Sequence, residues 1–110
     1  MANELNDLMR EIDAFTQERD WDQFHNPKDL AIALSIEASE LLEAFLWKDA
    51  GEAKVEKVKE ELADIFNYAL LIADKYGFDV ADIVREKLAK NALKYPVEKA
   101  RGVATKYDEL

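Results

Sequence analysis

LAIALSIEASELLEAFLW (30–47) is apolar or small at almost every angle of a helical wheel, yet it carries Glu37 and Glu40. Leu30, Leu34, Leu41 and Phe45 form one stripe, and Ile32, Ile36, Leu42, Leu46 and Trp47 cover most of the rest. A helix that is apolar all round is normally buried on all sides. Glu37 falls between Ala44 and Leu30 and Glu40 between Trp47 and Ala33, so neither has a polar sector to escape into. A second stretch, EELADIFNYALLIA (60–73), holds Glu61 and Asp64; from Leu62 to Ala73 only Asp64 and Asn67 are strongly polar. Each acidic pair is spaced i, i+3, which sets two carboxylates side by side on one helix face. Buried carboxylates are costly unless they are paired, hydrogen-bonded or bound to a metal. Four of them on two helices offer an oxygen-ligand site for a hard divalent cation. The plainer reading is that these acids lie at bundle edges and pair with lysines, as surface helix acids do.

Outward from these stretches, the pattern is helical throughout. The first helix runs roughly 3–19, with Leu5, Leu8, Met9, Ile12 and Phe15 as its apolar stripe. A non-repetitive loop, RDWDQFHNP (19–27), follows. Asn26 then caps the second helix, with Pro27 in its first turn. That helix is expected to reach Trp47, and Gly51 marks the break. The third runs about 53–76, with Gly77 as its C-terminal cap. Asp79 caps the fourth, which lasts until Tyr95-Pro96. Residues 96–110 show no period and are expected to form an irregular tail. The expectation is a single all-α domain over 1–110, a four-helix bundle-like subunit.

Composition narrows the function. The formal net charge of −9 argues against a nucleic-acid polymer as partner, which needs a basic footprint. Mg2+ between carboxylates and phosphate oxygens would invert that local charge logic. Cysteine is absent and His25 is the only histidine, which excludes Cys-based zinc sites and multi-His sites within one chain. A di-iron bundle would need Glu-x-x-His pairs, and there are none. No apolar run is long enough to span a membrane and the polar N-terminus is no signal peptide, so the expected location is the cytoplasm. A chain of 110 residues has little room for both a core and a deep pocket, which favours a site completed between subunits.

E-A-S-E (37–40), followed about twenty residues later by E-L-A-D (61–64), resembles the E-x-x-E…E-x-x-D signature of the MazG-like all-α nucleoside triphosphate pyrophosphohydrolases. RDWDQFHNPKDLAIAL, Trp47-Lys48, EELADIFNY and K-x-x-x-N-x-x-x-YPVEKARG look like the dCTP pyrophosphatase branch of that family. The resemblance runs from about residue 12 to the C-terminus. It implies a Mg2+-dependent enzyme that splits a (d)NTP, dCTP or a related deoxynucleotide, into the monophosphate and pyrophosphate for pool control, and that assembles as a homodimer or homotetramer. Glu37, Glu40, Glu61 and Asp64 would then be the metal ligands. Trp21, Asp22, Gln23, Phe24 and His25 match a loop that contacts the nucleotide, Trp47 an aromatic that packs on it, and Tyr68 a further contact. One departure is Ile12, where the animal enzymes of this branch carry a histidine, which weakens the transfer of their base preference.

The chemistry fits these residue types. Phosphoanhydride hydrolysis needs an in-line water and positive charge on the phosphoryl oxygens. Glu37 or Glu40 is the candidate catalytic carboxylate for that water. Trp21, Phe24 and Trp47 are candidates for stacking on a base, at roughly 1–3 kcal/mol each; packed loop and helix-end residues are the plainer reading. On the fourth helix Asn91 projects into the apolar face of Val80, Val84, Leu88 and Tyr95, with Lys87 beside it. Lys87, Asn91 and Tyr95 either reach a phosphate or simply satisfy backbone and solvent. The competing functional class is a non-catalytic helical module that binds metal, nucleotide or a protein partner.

Overall fold

The computed structural model describes residues 3–110 and contains, among them, five α-helices, three short 3-10 turns and no strand. The helices are α1 (Glu4–Glu18), α2 (Pro27–Glu43), α3 (Val55–Tyr76), α4 (Val80–Lys94) and α5 (Val97–Ala100). The chain parts into two compact units, one up to Phe78 and one from Asp79 to Leu110.

In the first unit α2 packs along α3, and α1 packs on α3. Its caps are local chemistry. The Asn3 side chain accepts from the amide of Asn6 at 2.8 Å, and Asn26 accepts from that of Asp29 at 2.9 Å. Met9, Leu30, Ala44, Leu70, Leu71 and Ala73 are buried, and Leu30 almost completely so. Between α1 and α2, Asp20 takes a left-handed conformation (φ 54°) and the Thr16 carbonyl accepts from both Arg19 and Trp21. The loop is then tied to α3 by an ion pair between Asp22 and Lys75 at 2.5 Å.

The second helix ends earlier than its apolar pattern suggests, at Glu43 rather than Trp47. From Ala44 onward the amides bond three residues back (Phe45 to Leu42, Leu46 to Glu43, Lys48 to Phe45), so the helix tightens instead of continuing. Trp47 completes the reversal with φ 60°. Nor is α2 buried on all sides within the subunit. Ile32 and Ile36 are half exposed and Leu42 more so. On α3, Leu62 and Phe66 form a similar exposed row, again one turn apart.

Gly77 ends α3 with φ 69°, and the Phe78 amide reaches back to the Ala73 carbonyl at 2.9 Å. A Cβ at Gly77 would meet nothing within 4 Å, so only backbone conformation is at stake. Gly77→Ala is expected to cost about 1 kcal/mol of stability, read from the urea midpoint.

In the second unit Asp79 caps α4 by accepting from the Asp82 amide at 3.0 Å. The tail is not wholly irregular. Pro96 cannot continue α4, but its carbonyl accepts from the amides of Lys99 and Ala100 and starts the single turn of α5. The Tyr107 ring then lies edge-on to Tyr95 at 6.1 Å, with the Lys94 ammonium 4.8 Å above it. These contacts fold the tail onto the end of α4.

Candidate active site

Oxygens of Glu37 on α2 and of Glu61 and Asp64 on α3 lie within 4.8 Å of one another. Glu61 is buried, with 5 % of its surface exposed; Glu37 and Asp64 are half buried. The i, i+3 spacing along α3 turns Glu61 and Asp64 the same way, and the packing of α2 on α3 brings Glu37 to them. Glu40 stands beside this triad without completing it, close enough to perturb Glu37. Lys57, one turn before Glu61, places its ammonium 2.7 Å from Glu61 Oε1. The Oε2 atoms of Glu37 and Glu61 are buried and take no hydrogen bond.

Crowding sets the charge state. Burial is the main reason that the Glu37 carboxyl is pushed up from 4.5 to about 7. Hydrogen bonding with Glu61 and Glu40 and repulsion by Glu40 and Asp64 push it the same way. Glu61 is held below its ordinary value, chiefly by the Lys57 ammonium. Tyr68 is pushed up by burial and by the charges of Glu37, Asp64 and Glu40. Two buried oxygens without donors in a cluster of hard carboxylates suit a hard divalent cation, which would hold Glu37 ionised.

This gives a pH dependence of definite sign. Because Glu37 binds its proton more tightly folded than unfolded, the native state holds more protons between about pH 4.5 and 7. Its favourable contribution is full below about pH 4.5 and is lost as pH rises through 7. Metal-free protein is therefore expected to lose melting temperature from pH 5 to 8 relative to Glu37→Gln, a difference that saturating divalent cation removes. Parallel profiles for the two proteins would contradict this.

Beside the acids lies a cavity of about 390 Å3, within the size range of small-molecule sites. From α1 it is lined by Glu11, Ile12, Phe15 and Thr16, and from the loop by Trp21 and His25. Its third wall is Asp64, Asn67, Tyr68 and Leu71, one face of α3 at i, i+3, i+4, i+7. Asp64 therefore belongs to both the acid cluster and the cavity wall. Trp21 meets Phe15 edge to face at 5.8 Å, and the Arg19 guanidinium caps the Phe15 ring at 3.6 Å. His25 Nδ1 is buried without a partner.

Of the residues singled out in the sequence, Trp21, His25, Tyr68 and Asp64 share this cavity. Asp22, Gln23 and Phe24 do not line it. Asp22 is engaged by Lys75, Gln23 bonds Asp20, and Phe24 is largely exposed. Trp47 is 94 % exposed and does not line this cavity. Lys87, Asn91 and Tyr95 stand on α4 or at its end in the second unit, with Asn91 half buried and the Tyr95 ring against Tyr107. Glu11, Ile12, Phe15, Thr16, Asn67 and Leu71 were not anticipated as cavity residues; the α3 pair could have been found from their spacing to Asp64 and Tyr68. No helix among the described residues is long and apolar enough to cross a membrane.

The chain is similar to known proteins. Residues 32–110 match the model of the MazG-like family. The chain is 37 % identical to dCTP pyrophosphatase 1 of Homo sapiens over 114 aligned positions, covering 96 % of this chain and 67 % of that protein. It is 38 % identical to dCTP pyrophosphatase 1 of Bos taurus, with 96 % and 68 % covered. A crystal structure of a pyrophosphatase from Archaeoglobus fulgidus superposes with a TM-score of 0.80 at 33 % identity, over 87 % of this chain and 95 % of that one. With its acid pairs, all-α fold and relatives in agreement, the chain belongs to the MazG-like family, in the branch of the dCTP pyrophosphatases.

Proposed function

We propose that this protein is a Mg2+-dependent nucleoside triphosphate pyrophosphohydrolase that takes dCTP or a related deoxynucleotide to the monophosphate and pyrophosphate, and so controls the nucleotide pool. The observation that carries this reading is the double membership of Asp64. It joins a carboxylate cluster suited to a divalent cation to a cavity of nucleoside size. Family membership and the named activity of the relatives support it.

Glu37, Glu61 and Asp64 would hold the metal, with Glu40 beside them. When bound, Mg2+ would supply positive charge to the phosphoryl oxygens and lower the pKa of a bound water. Glu37 and Glu40 are the two candidates to orient that water and take its proton. Trp21 offers a partly exposed ring for the base, and His25, Asn67 and Tyr68 offer polar edges around it. Lys87, Asn91 and Tyr95 are assigned to the phosphates on the strength of the sequence alone.

The same reading includes a homodimer or homotetramer in which residues 1–110 act as one domain. Ile32 with Ile36, Leu62 with Phe66, and Val84 with Leu88 are rows of large apolar side chains that the single subunit leaves about half exposed. Apolar rows of this kind mark contact surfaces. Purified protein should be given each NTP and dNTP with Mg2+ or with a chelator. Turnover of dCTP and close relatives, abolished by chelation, is expected. Failure to hydrolyse any triphosphate would leave a binding module as the only reading.

A further inference from the structure

Lys57 has no place in the reaction described above, yet it makes the one ion pair among the described residues that reaches the acid cluster. Its position is specific. It lies one helical turn before Glu61, so α3 itself aims the side chain at the carboxylate. The ammonium is 2.7 Å from Glu61 Oε1, while the Lys57 side chain is 48 % exposed and that of Glu61 only 7 %. One end of the pair is therefore fixed in the site and the other is free to swing into solvent on a four-carbon stem. The nearest carboxylates, Glu61 above all and then Glu40 and Glu60, all favour the charged ammonium.

A divalent cation held by Glu37, Glu61 and Asp64 would share the Glu61 carboxylate, whose Oε1 Lys57 now engages. Two cations within a few ångströms of one carboxylate repel, and the mobile one yields. We propose that Lys57 is a tethered counter-ion of the acid cluster: it neutralises Glu61 while the site is empty and must be displaced when metal enters. Lys57 thereby steadies the empty site and holds metal affinity below what the acids alone would give. It is a positioning residue for the metal centre, and the inference rests on the reading of these acids as metal ligands.

The test is Mg2+ binding without nucleotide, followed by calorimetry, together with thermal unfolding of the chelator-treated protein. Lys57→Gln is expected to bind Mg2+ about tenfold more tightly, to melt at lower temperature when metal-free, and to gain more from added Mg2+. Lys57→Met should behave likewise if glutamine disturbs the helix. Lys57→Arg, which keeps the charge, should stay within about twofold of the parent affinity. Lys59→Gln changes net charge equally but lies about 200° round the helix, and should also stay within about twofold. Unchanged or weaker Mg2+ binding in both Lys57→Gln and Lys57→Met, or an equal gain in Lys59→Gln, would overturn the proposal while leaving the metal site intact. A parent protein that binds no divalent cation at all would overturn both together.

Discussion

Glu37→Gln should lower kcat at least about a hundredfold, the scale of losing a group that holds charge at a reaction centre, and should leave the metal-free fold at least as stable as before. The two halves of this result have one cause. Glu37 is the member of the triad contributed by α2, so its oxygen is what closes the triad across two helices. A neutral amide of the same shape gives a cation a far weaker ligand and removes one charge from the site. In the metal-free protein the native carboxyl keeps its proton up to about pH 7, because of its burial and its acidic neighbours. Glutamine supplies the neutral state at every pH. A variant that lost activity only by unfolding would instead show a lower melting temperature at pH 7 and above. Steady-state rates with saturating Mg2+ and calorimetric unfolding with a chelator, on one preparation, check both halves.

Ile32→Glu should convert the proposed homo-oligomer to monomer. Ile32 is 49 % exposed and Ile36, one turn on, is 54 % exposed, in a helix with almost no polar surface on which to lie in water. Placing a carboxylate at the centre of a desolvated contact costs several kcal/mol unless it is paired, which corresponds to at least about a hundredfold weaker association. The substitution removes no buried contact from the subunit core, which is built on Leu30, Ala44, Leu70, Leu71 and Ala73. Helical content should therefore be unchanged. Sedimentation of parent and variant at micromolar concentration is the check. A parent that already sediments as monomer would remove the oligomer from the account.

Much of this architecture is written locally. The caps at Asn26, Gly77 and Asp79 are short-range hydrogen-bond and backbone requirements, and they bound the helices within a residue or two. The end of α2 was not legible, because no glycine or proline stops it. The chain instead tightens into three-residue turns and reverses at Trp47, a residue seldom found at positive φ. The turn in the tail is hidden for the opposite reason: Pro96 reads as a stop, but as the N-cap of α5 its carbonyl accepts the first hydrogen bonds of a new turn. The i, i+3 acids announced a cluster, whereas the partial separation of Glu40 from it depends on how α2 meets α3.

The cavity shows the same division. Its α3 wall follows one helical face, so Asn67 and Leu71 were implied by Asp64 and Tyr68. Ile12 and Phe15 read as ordinary core, since an apolar stripe is the same whether it faces another helix or a cavity. The tie from Asp22 to Lys75 spans 53 positions and leaves no mark in either local pattern. Lys57 was hidden among the lysines and glutamates at the start of α3, where only geometry separates one that meets Glu61 from those in solvent.

In the proposed reaction, a cation at the acid cluster and a nucleotide in the adjoining cavity bring about cleavage between the α- and β-phosphates. Product identity tests it most directly. Phosphorus NMR of the protein turning over dCTP with Mg2+ should show dCMP and pyrophosphate rising together in equal amounts, with no nucleoside diphosphate. Release of orthophosphate with dCDP as the co-product would contradict the account.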